Sequence, residues 1–164
     1  MESNSQRIVV LEGELTRLLC WINTAETKIS LVLAISTAML GALAVLSPVC
    51  SGWTVFPAIL ASFATLCLVL SIVFSAVSSF PRTDGPDRSL IYFGGITSLD
   101  LSEYINSMSN LTEDQYIHDL ICQCHRNAQI AERKFTWVKR AIACLFLSSG
   151  PWALSLYLLY SAKA

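Results

Sequence analysis

His118, Cys122 and His125 are spaced by four and three residues, so on a helix they share one face, the arrangement that ligands to a zinc-like metal require. No fourth ligand is evident. The same three residues also make an ordinary polar helix face with a thiol of no special reactivity, so no metal is assigned. A second group mixes cations with flat apolar side chains: Arg82 and Arg88 lie close in sequence to Tyr92, Phe93 and Gly94. A guanidinium can hold a phosphate, an aromatic ring can stack on a base, and a glycine lets backbone approach closely. Arg133 and Lys134 could close such a pocket, with Asn127 and Gln129 available to read a base by hydrogen bonds. The alternative for these residues is an interfacial anchor, with aromatics and arginines at lipid headgroups. Catalytic patterns are missing. The sequence has no phosphate-binding glycine loop ending in Lys-Ser/Thr, no nucleophile elbow and no dinucleotide fingerprint, and Gly94-Gly95 is a lone pair, so no catalytic residue is assigned and no enzyme activity is expected.

The elements that must carry these residues are membrane helices. Of 164 residues, 54% are hydrophobic and 14% charged, against roughly 25% charged in a soluble domain. Residues 29–81 contain no Asp, Glu, Lys, Arg or His. One spanning helix needs about 20 apolar residues, so this run must fold back on itself. Ser47-Pro48-Val49-Cys50-Ser51-Gly52 supplies the turn. Two spans follow, about 29–46 and 53–80, and a third apolar stretch covers 141–160.

Basic residues orient the spans. Arg7, Arg17 and Lys28 precede the first, while Arg82, Arg88, Arg126, Arg133, Lys134, Lys139 and Arg140 lie between the second and third, leaving Lys163 alone on the other side. The positive-inside rule puts the larger group in the cytoplasm and the C-terminus outside. The residues before the first span include Glu2, Glu12, Glu14 and Glu26 and do not resemble a short basic leader, so the first span is expected to stay in the mature protein. A net charge of -1 with acids and bases intermixed gives no nucleic-acid groove. The six cysteines are scattered between lipid and both sides, which fits no intramolecular disulfide framework. The sequon Asn110-Leu111-Thr112 is incidental on a cytoplasmic segment.

Ile8, Leu11, Leu15, Leu18, Ile22, Ala25, Ile29 and Val32 alternate by three and four, an apolar seam that crosses the membrane boundary without a break. One helix is therefore expected from near Ser5 into the bilayer, weakened locally at Gly13. Ile117, Ile121, Cys124, Ala128, Ala131, Phe135, Val138, Ile142 and Leu145 make a similar seam, with Thr112 and Gln115 as a capping box at its start. Both helices enter from the cytoplasm and run parallel, so their seams pair with each other or with those of a second copy. A homo-oligomer is expected, since so small a chain offers few internal partners. Ala34, Ala38 and Ala42 form either a close-packing ridge or ordinary filler, and Gly150-Pro151 is expected to kink the third span. Residues 82–109 read as a turn, a short apolar piece and a short helix from about Asp100. The fold class is thus an all-α membrane protein with three transmembrane helices and cytoplasmic helical extensions of the first and third spans. Its parts are a cytoplasmic amphipathic helix (1–28), a transmembrane hairpin (29–80), a cytoplasmic sensing segment and stalk helix (81–140), and a third span with a short external tail (141–164).

At these residues the sequence resembles the membrane effector family of Pycsar, the bacterial pyrimidine cyclase system of antiphage resistance. The pieces that match are Trp21-Ile22-Asn23-Thr24-Ala25-Glu26-Thr27-Lys28, Phe80-Pro81-Arg82, Ser89-Leu90-Ile91-Tyr92-Phe93-Gly94-Gly95-Ile96 and Asn127-Ala128-Gln129-Ile130-Ala131-Glu132-Arg133-Lys134-Phe135, in order across nearly the whole chain. The family often carries Asp where this chain has Glu26. The resemblance implies a bacterial inner-membrane protein that works with a pyrimidine nucleotide cyclase: infection raises cyclic CMP or cyclic UMP, the effector senses it, and membrane damage causes abortive infection. About 30 residues between the second span and the long third helix cannot house a β-roll nucleotide domain. A site would have to be assembled from helices and the aromatic segment, with Arg82, Arg88, Tyr92, Phe93, Gly94, Arg133 and Lys134 as its expected ligand residues. The rival from another class is a constitutive structural or scaffold membrane protein with no ligand. The cyclic nucleotide would be an activating ligand; no cofactor is expected, and membrane lipid is the other partner.

Overall fold

A computed structural model describes residues 2–48, 54–80, 85–86 and 89–161, and all the regular structure among them is helical. Helix α1 runs Glu2–Leu46, α2 Val55–Ser79, α3 Phe93–Thr97, α4 Leu101–Ser109 and α5 Glu113–Ser161. Three of them, α1, α2 and α5, are long and apolar enough to cross a membrane. The apolar seam of the first span does continue through α1 as one helix. The expected turn falls largely on 49–53, outside the described residues; the part that is described, Ser47-Pro48, has left the helix, with the Ser47 amide still bonded to the Leu43 carbonyl at 3.0 Å.

The capping box at the start of α5 is formed. Thr112 Oγ1 accepts from the Gln115 amide at 3.4 Å while Gln115 Oε1 accepts from the Thr112 amide at 3.0 Å, which satisfies two donors that a helix start leaves unpaired. Asp100 caps α4 by accepting from the Leu101 amide at 3.0 Å and from Ser102 Oγ, as the expected helix start near Asp100 requires. Pro151 lies inside α5, which continues through it.

The chain divides into two compact units, Met1–Thr24 with Pro81–Arg133, and Ala25–Phe80 with Lys134–Ala164. The second unit has polar side chains inside and apolar ones outside. Ser36, Ser71, Ser75, Ser148 and Ser155 are fully buried, whereas Leu31, Val55, Phe56, Phe63, Leu66, Phe146 and Leu147 are exposed. In water that pattern would be unstable; in lipid, outward Leu and Phe cost nothing and small serines let helices approach. Each serine hydroxyl finds a partner. Ser36 and Ser71 share a hydrogen bond of 3.0 Å between α1 and α2, Ser71 donates to the Ala141 carbonyl of α5 at 3.0 Å, and Ser75 donates to the Ser71 carbonyl. Trp152 Nε1 donates to the Met39 carbonyl at 2.8 Å, tying α5 to α1 again. Around these bonds pack Ala25, Ile29, Val32, Val138 and Ala141 in one cluster and Leu43, Ala64 and Leu68 in another. Ala34 and Ala38 are exposed, so the alanine ridge is not a packing face within the chain.

Parts of both seams find partners inside the chain. In the second unit Ala25, Ile29 and Val32 of α1 meet Val138 and Ala141 of α5. In the first unit Cys124 donates through Sγ to the Leu11 carbonyl at 3.5 Å, and Tyr116 donates to the Glu12 carboxylate at 2.7 Å. That bond, with burial adding to it, holds the Tyr116 phenol above its usual pKa. Burial likewise raises the Cys124 thiol. The buried face of α5 keeps much of the expected seam, with Ile117, Ala131 and Val138 buried and Phe135, Ile142 and Leu145 packed against the core; it also takes in Leu120, Gln123, Lys134 and Ala141, while Ile121 is 43% exposed.

Candidate functional site

Ser89, which is buried, organises the segment between α2 and α3 in the first unit. Its hydroxyl donates to Asp119 Oδ2 at 3.0 Å and accepts from the amides of Ile91 at 3.2 Å and Tyr92 at 2.9 Å. Asp119 Oδ2 also accepts from the Leu90 amide at 3.0 Å, and Gln123, itself buried, donates through Nε2 to Ser89 Oγ at 3.0 Å. A serine bonding its own backbone two and three residues on is a local turn device. Here two side chains one helical turn apart on α5 pin that turn to a rigid surface. Gly95 then lies so close to Ser89 that a Cβ would overlap the Ser89 carbonyl oxygen, so this position accepts glycine alone.

Beside the pinned turn lies an open cavity of about 710 Å³, walled by Leu90, by Asn106 and Asn110 at the end of α4, and by Gln115, His118 and Asp119 of α5. Its size falls within the range of small-ligand sites, roughly 300–1,000 Å³. A further cavity of about 490 Å³ adjoins it along α5, sharing Pro86 and Cys122 and reaching His125 and Arg126. The lining mixes apolar surface with uncharged polar groups and the carboxylates of Asp114 and Asp119.

Most of the residues expected at a ligand site have other roles where they are described. Arg82 and Arg88 lie outside the described residues. The rings of Tyr92 and Phe93 meet at a tilt of 50°, 4.5 Å between centroids. Cβ atoms at Gly85 and Gly94 would both collide with the Tyr92 ring, so these glycines let that ring approach the backbone. Arg133 is exposed. Lys134 is buried in the second unit, where its ammonium donates to Glu26 Oε1 at 2.9 Å and to the Ser78 carbonyl at 3.3 Å, joining α5, α1 and the end of α2. Asn127 donates to the Gln123 carbonyl, and Gln129 bonds the His125 ring at 3.0 Å. The metal triad does not converge. Cys122 Sγ and His118 Nε2 are 3.7 Å apart, and among the described residues no three His, Cys, Asp or Glu side chains gather as ligands.

Sequence reasoning missed Asp119, Gln123 and the Glu26–Lys134 pair. Asp119 and Gln123 stand four apart on α5, a visible spacing, but nothing in the sequence says that their partner is Ser89. Two further cations lie over aromatic rings in the second unit, Arg140 over Trp137 at 4.5 Å and Lys28 over Phe135 at 5.9 Å.

The comparison with known proteins agrees with this architecture over nearly its whole length. No solved structure matches the chain significantly. The Pycsar effector protein PtPycTM of Propioniciclava tarda is 23% identical over 150 residues, covering 82% of this chain and 74% of the relative. A family model described as the Pycsar effector protein domain matches residues 10–161. With α2, α5, the pinned turn and all but the start of α1 inside that match, the chain belongs to the Pycsar effector protein family.

Proposed function

We propose that this protein is a multi-pass effector of the bacterial inner membrane, activated by a cyclic pyrimidine nucleotide to impair that membrane and abort infection. The observation that carries this is the family match joined to a chain whose three long helices can span a bilayer. The first unit holds a cavity open to solvent, of a size that suits a small ligand, and the second exposes large apolar side chains as a lipid-facing bundle does. Helices α1 and α5 each contribute to both units, so a ligand that binds one arrangement of the first more tightly than another biases the second through them. The effector is not an enzyme in this scheme. Its functional partner is a pyrimidine nucleotide cyclase acting only through its product, and it engages membrane lipid and no nucleic acid.

The test is co-expression with and without such a cyclase while a membrane-potential dye is followed. Depolarisation is expected only when the cyclase is active. Depolarisation indifferent to the cyclase would remove the gating step, and none under either condition would favour a constitutive scaffold.

The proposed topology places the N-terminus in the cytoplasm and the C-terminus in the periplasm. An alkaline phosphatase fused after Ala164 is expected to be active, and one inserted in 100–109 inactive. The opposite pattern would invert the orientation, and activity at both points would eliminate a span.

A further inference from the structure

The chain passes from one unit to the other three times, between Thr24 and Ala25, between Phe80 and Pro81, and between Arg133 and Lys134. One polar cluster, lying wholly in the second unit, gathers a residue from beside each crossing: Glu26 on α1, Ser78 on α2 and Lys134 on α5. The Lys134 ammonium donates to Glu26 Oε1 and to the Ser78 carbonyl, while Ser78 Oγ donates back to the Lys134 carbonyl at 3.4 Å, so α2 and α5 are tied in both directions. The next interior tie, from Ser71 to the Ala141 carbonyl, lies about 10 Å further along both helices at ~1.5 Å per residue. Among the described residues Lys134 is the one buried side chain that carries a formal charge.

We propose that this cluster is the resting clamp of the effector, and that activation releases Lys134 to water and lets α1, α2 and α5 part at this end. The proposal rests on the reading of the chain as a gated effector. A rearrangement of the first unit reaches the spanning helices along the chain at the three crossings, and those are the points the cluster holds together. A buried ion pair suits a switch because its attraction is largely offset by the desolvation of its charges. It fixes geometry while adding little net stability, and hydration of the ammonium replaces the pair once the helices part. Glu26 is half-exposed, so water already reaches the carboxylate and competes for it. An ionisable side chain inside a spanning bundle is costly and as a rule marks function.

The two partners should then act in opposite directions. Without Glu26 the ammonium keeps only the Ser78 carbonyl and is driven toward water, which favours the released arrangement. Without the ammonium, as in Lys134→Met, release hydrates no charge and exposes an apolar side chain, which favours the closed bundle. A pair that merely braced the helices would shift both variants the same way.

A membrane-potential dye, followed in cells with and without an active pyrimidine cyclase, tests this. Glu26→Ala is expected to depolarise cells without the cyclase, and Lys134→Met to respond about tenfold less than wild type with it. The double variant Glu26→Ala with Lys134→Met buries no charge and is expected to be silent without the cyclase, a suppression that misfolding of Glu26→Ala would not produce. Acetylation of the full-length protein in nanodiscs, read by mass spectrometry against the exposed Lys139, gives a second readout. Lys134 is expected to react slowly at rest and about tenfold faster once cyclic CMP or cyclic UMP is added. If wild type ignores the cyclase, the gated reading itself falls. If wild type responds but both single variants shift the same way, or either behaves as wild type does, the clamp is overturned and that reading stands. Lys134 that stays protected when the nucleotides are added to a cyclase-responsive protein overturns it as well. Should Glu26→Ala not reach the membrane, Lys134→Met and the acetylation decide alone.

Discussion

Replacing Glu26 by alanine is expected to destabilise the three-helix unit more than replacing Lys134 by methionine, although both remove the same ion pair. The asymmetry comes from burial. The side chain of Lys134 is 5% exposed and that of Glu26 53%. Without Glu26 the ammonium stays among Ser78 and apolar neighbours with one carbonyl for company, and stranding a buried charge costs about 3–5 kcal/mol, toward the lower end here because one partner reaches water. Without Lys134 the carboxylate is simply hydrated, methionine fills the space, and the main loss is the hydrogen bond to the Ser78 carbonyl, about 1 kcal/mol. That carbonyl belongs to the last turn of α2, where a helix leaves acceptors unpaired and which has no basic residue of its own. Exchanging the charges, Glu26→Lys with Lys134→Glu, is therefore not expected to restore stability, since a carboxylate at 134 would face the Ser78 oxygen. Unfolding in mixed micelles, followed by circular dichroism, ranks the variants. Equal losses for Glu26→Ala and Lys134→Met, or full rescue by the exchange, would show that burial of the ammonium is not what matters.

That pair also shows how far the sequence could be read. The long helices were legible because 29–81 lacks charge and because the α1 seam repeats without interruption; Ala25, Ile29 and Val32 are buried as that seam predicts. On α5 the same counting found Ile117, Ala131 and Val138, which are buried, but passed over Gln123 and Lys134, buried polar residues of the packed face. Gln123 is paired with Ser89 and Lys134 with Glu26 and Ser78, and pairing between distant segments leaves no trace in local spacing. At Gly94 the sequence shows a glycine beside aromatics, but not that the Tyr92 ring lies against it.

Ser89→Ala and Gly95→Ala are expected to release the same segment by different means. Removing the Ser89 hydroxyl takes away the acceptor of the Ile91 and Tyr92 amides and of Gln123 Nε2, and frees one of the two bonds on Asp119. A buried donor left unpaired costs about 1–3 kcal/mol. Some of these groups will reach water once the turn loosens, so a total of about 3 kcal/mol is expected rather than the full sum. Gly95→Ala adds a methyl that meets Ser89 backbone, oxygen and carbon together, and backbone cannot rotate aside as a side chain can. The turn must shift, which breaks the bonds that Ser89→Ala deletes. The two substitutions should consequently be non-additive, the double variant costing little more than the worse single one. Gly94→Ala is the control, since its methyl meets only the Tyr92 ring, which can move. Hydrogen exchange reads the outcome directly. The amides of Leu90, Ile91 and Tyr92 should exchange faster in Ser89→Ala and Gly95→Ala and near the wild-type rate in Gly94→Ala. Amides of α2 should be unchanged in all three, because the hydrogen bonds lost lie in the other unit. Since the pinned turn walls the cavity beside α5, both damaging variants should insert normally yet fail to depolarise cells when the cyclase is active. Wild-type exchange at Leu90–Tyr92 in Ser89→Ala would mean that the turn is held by something other than this hydroxyl.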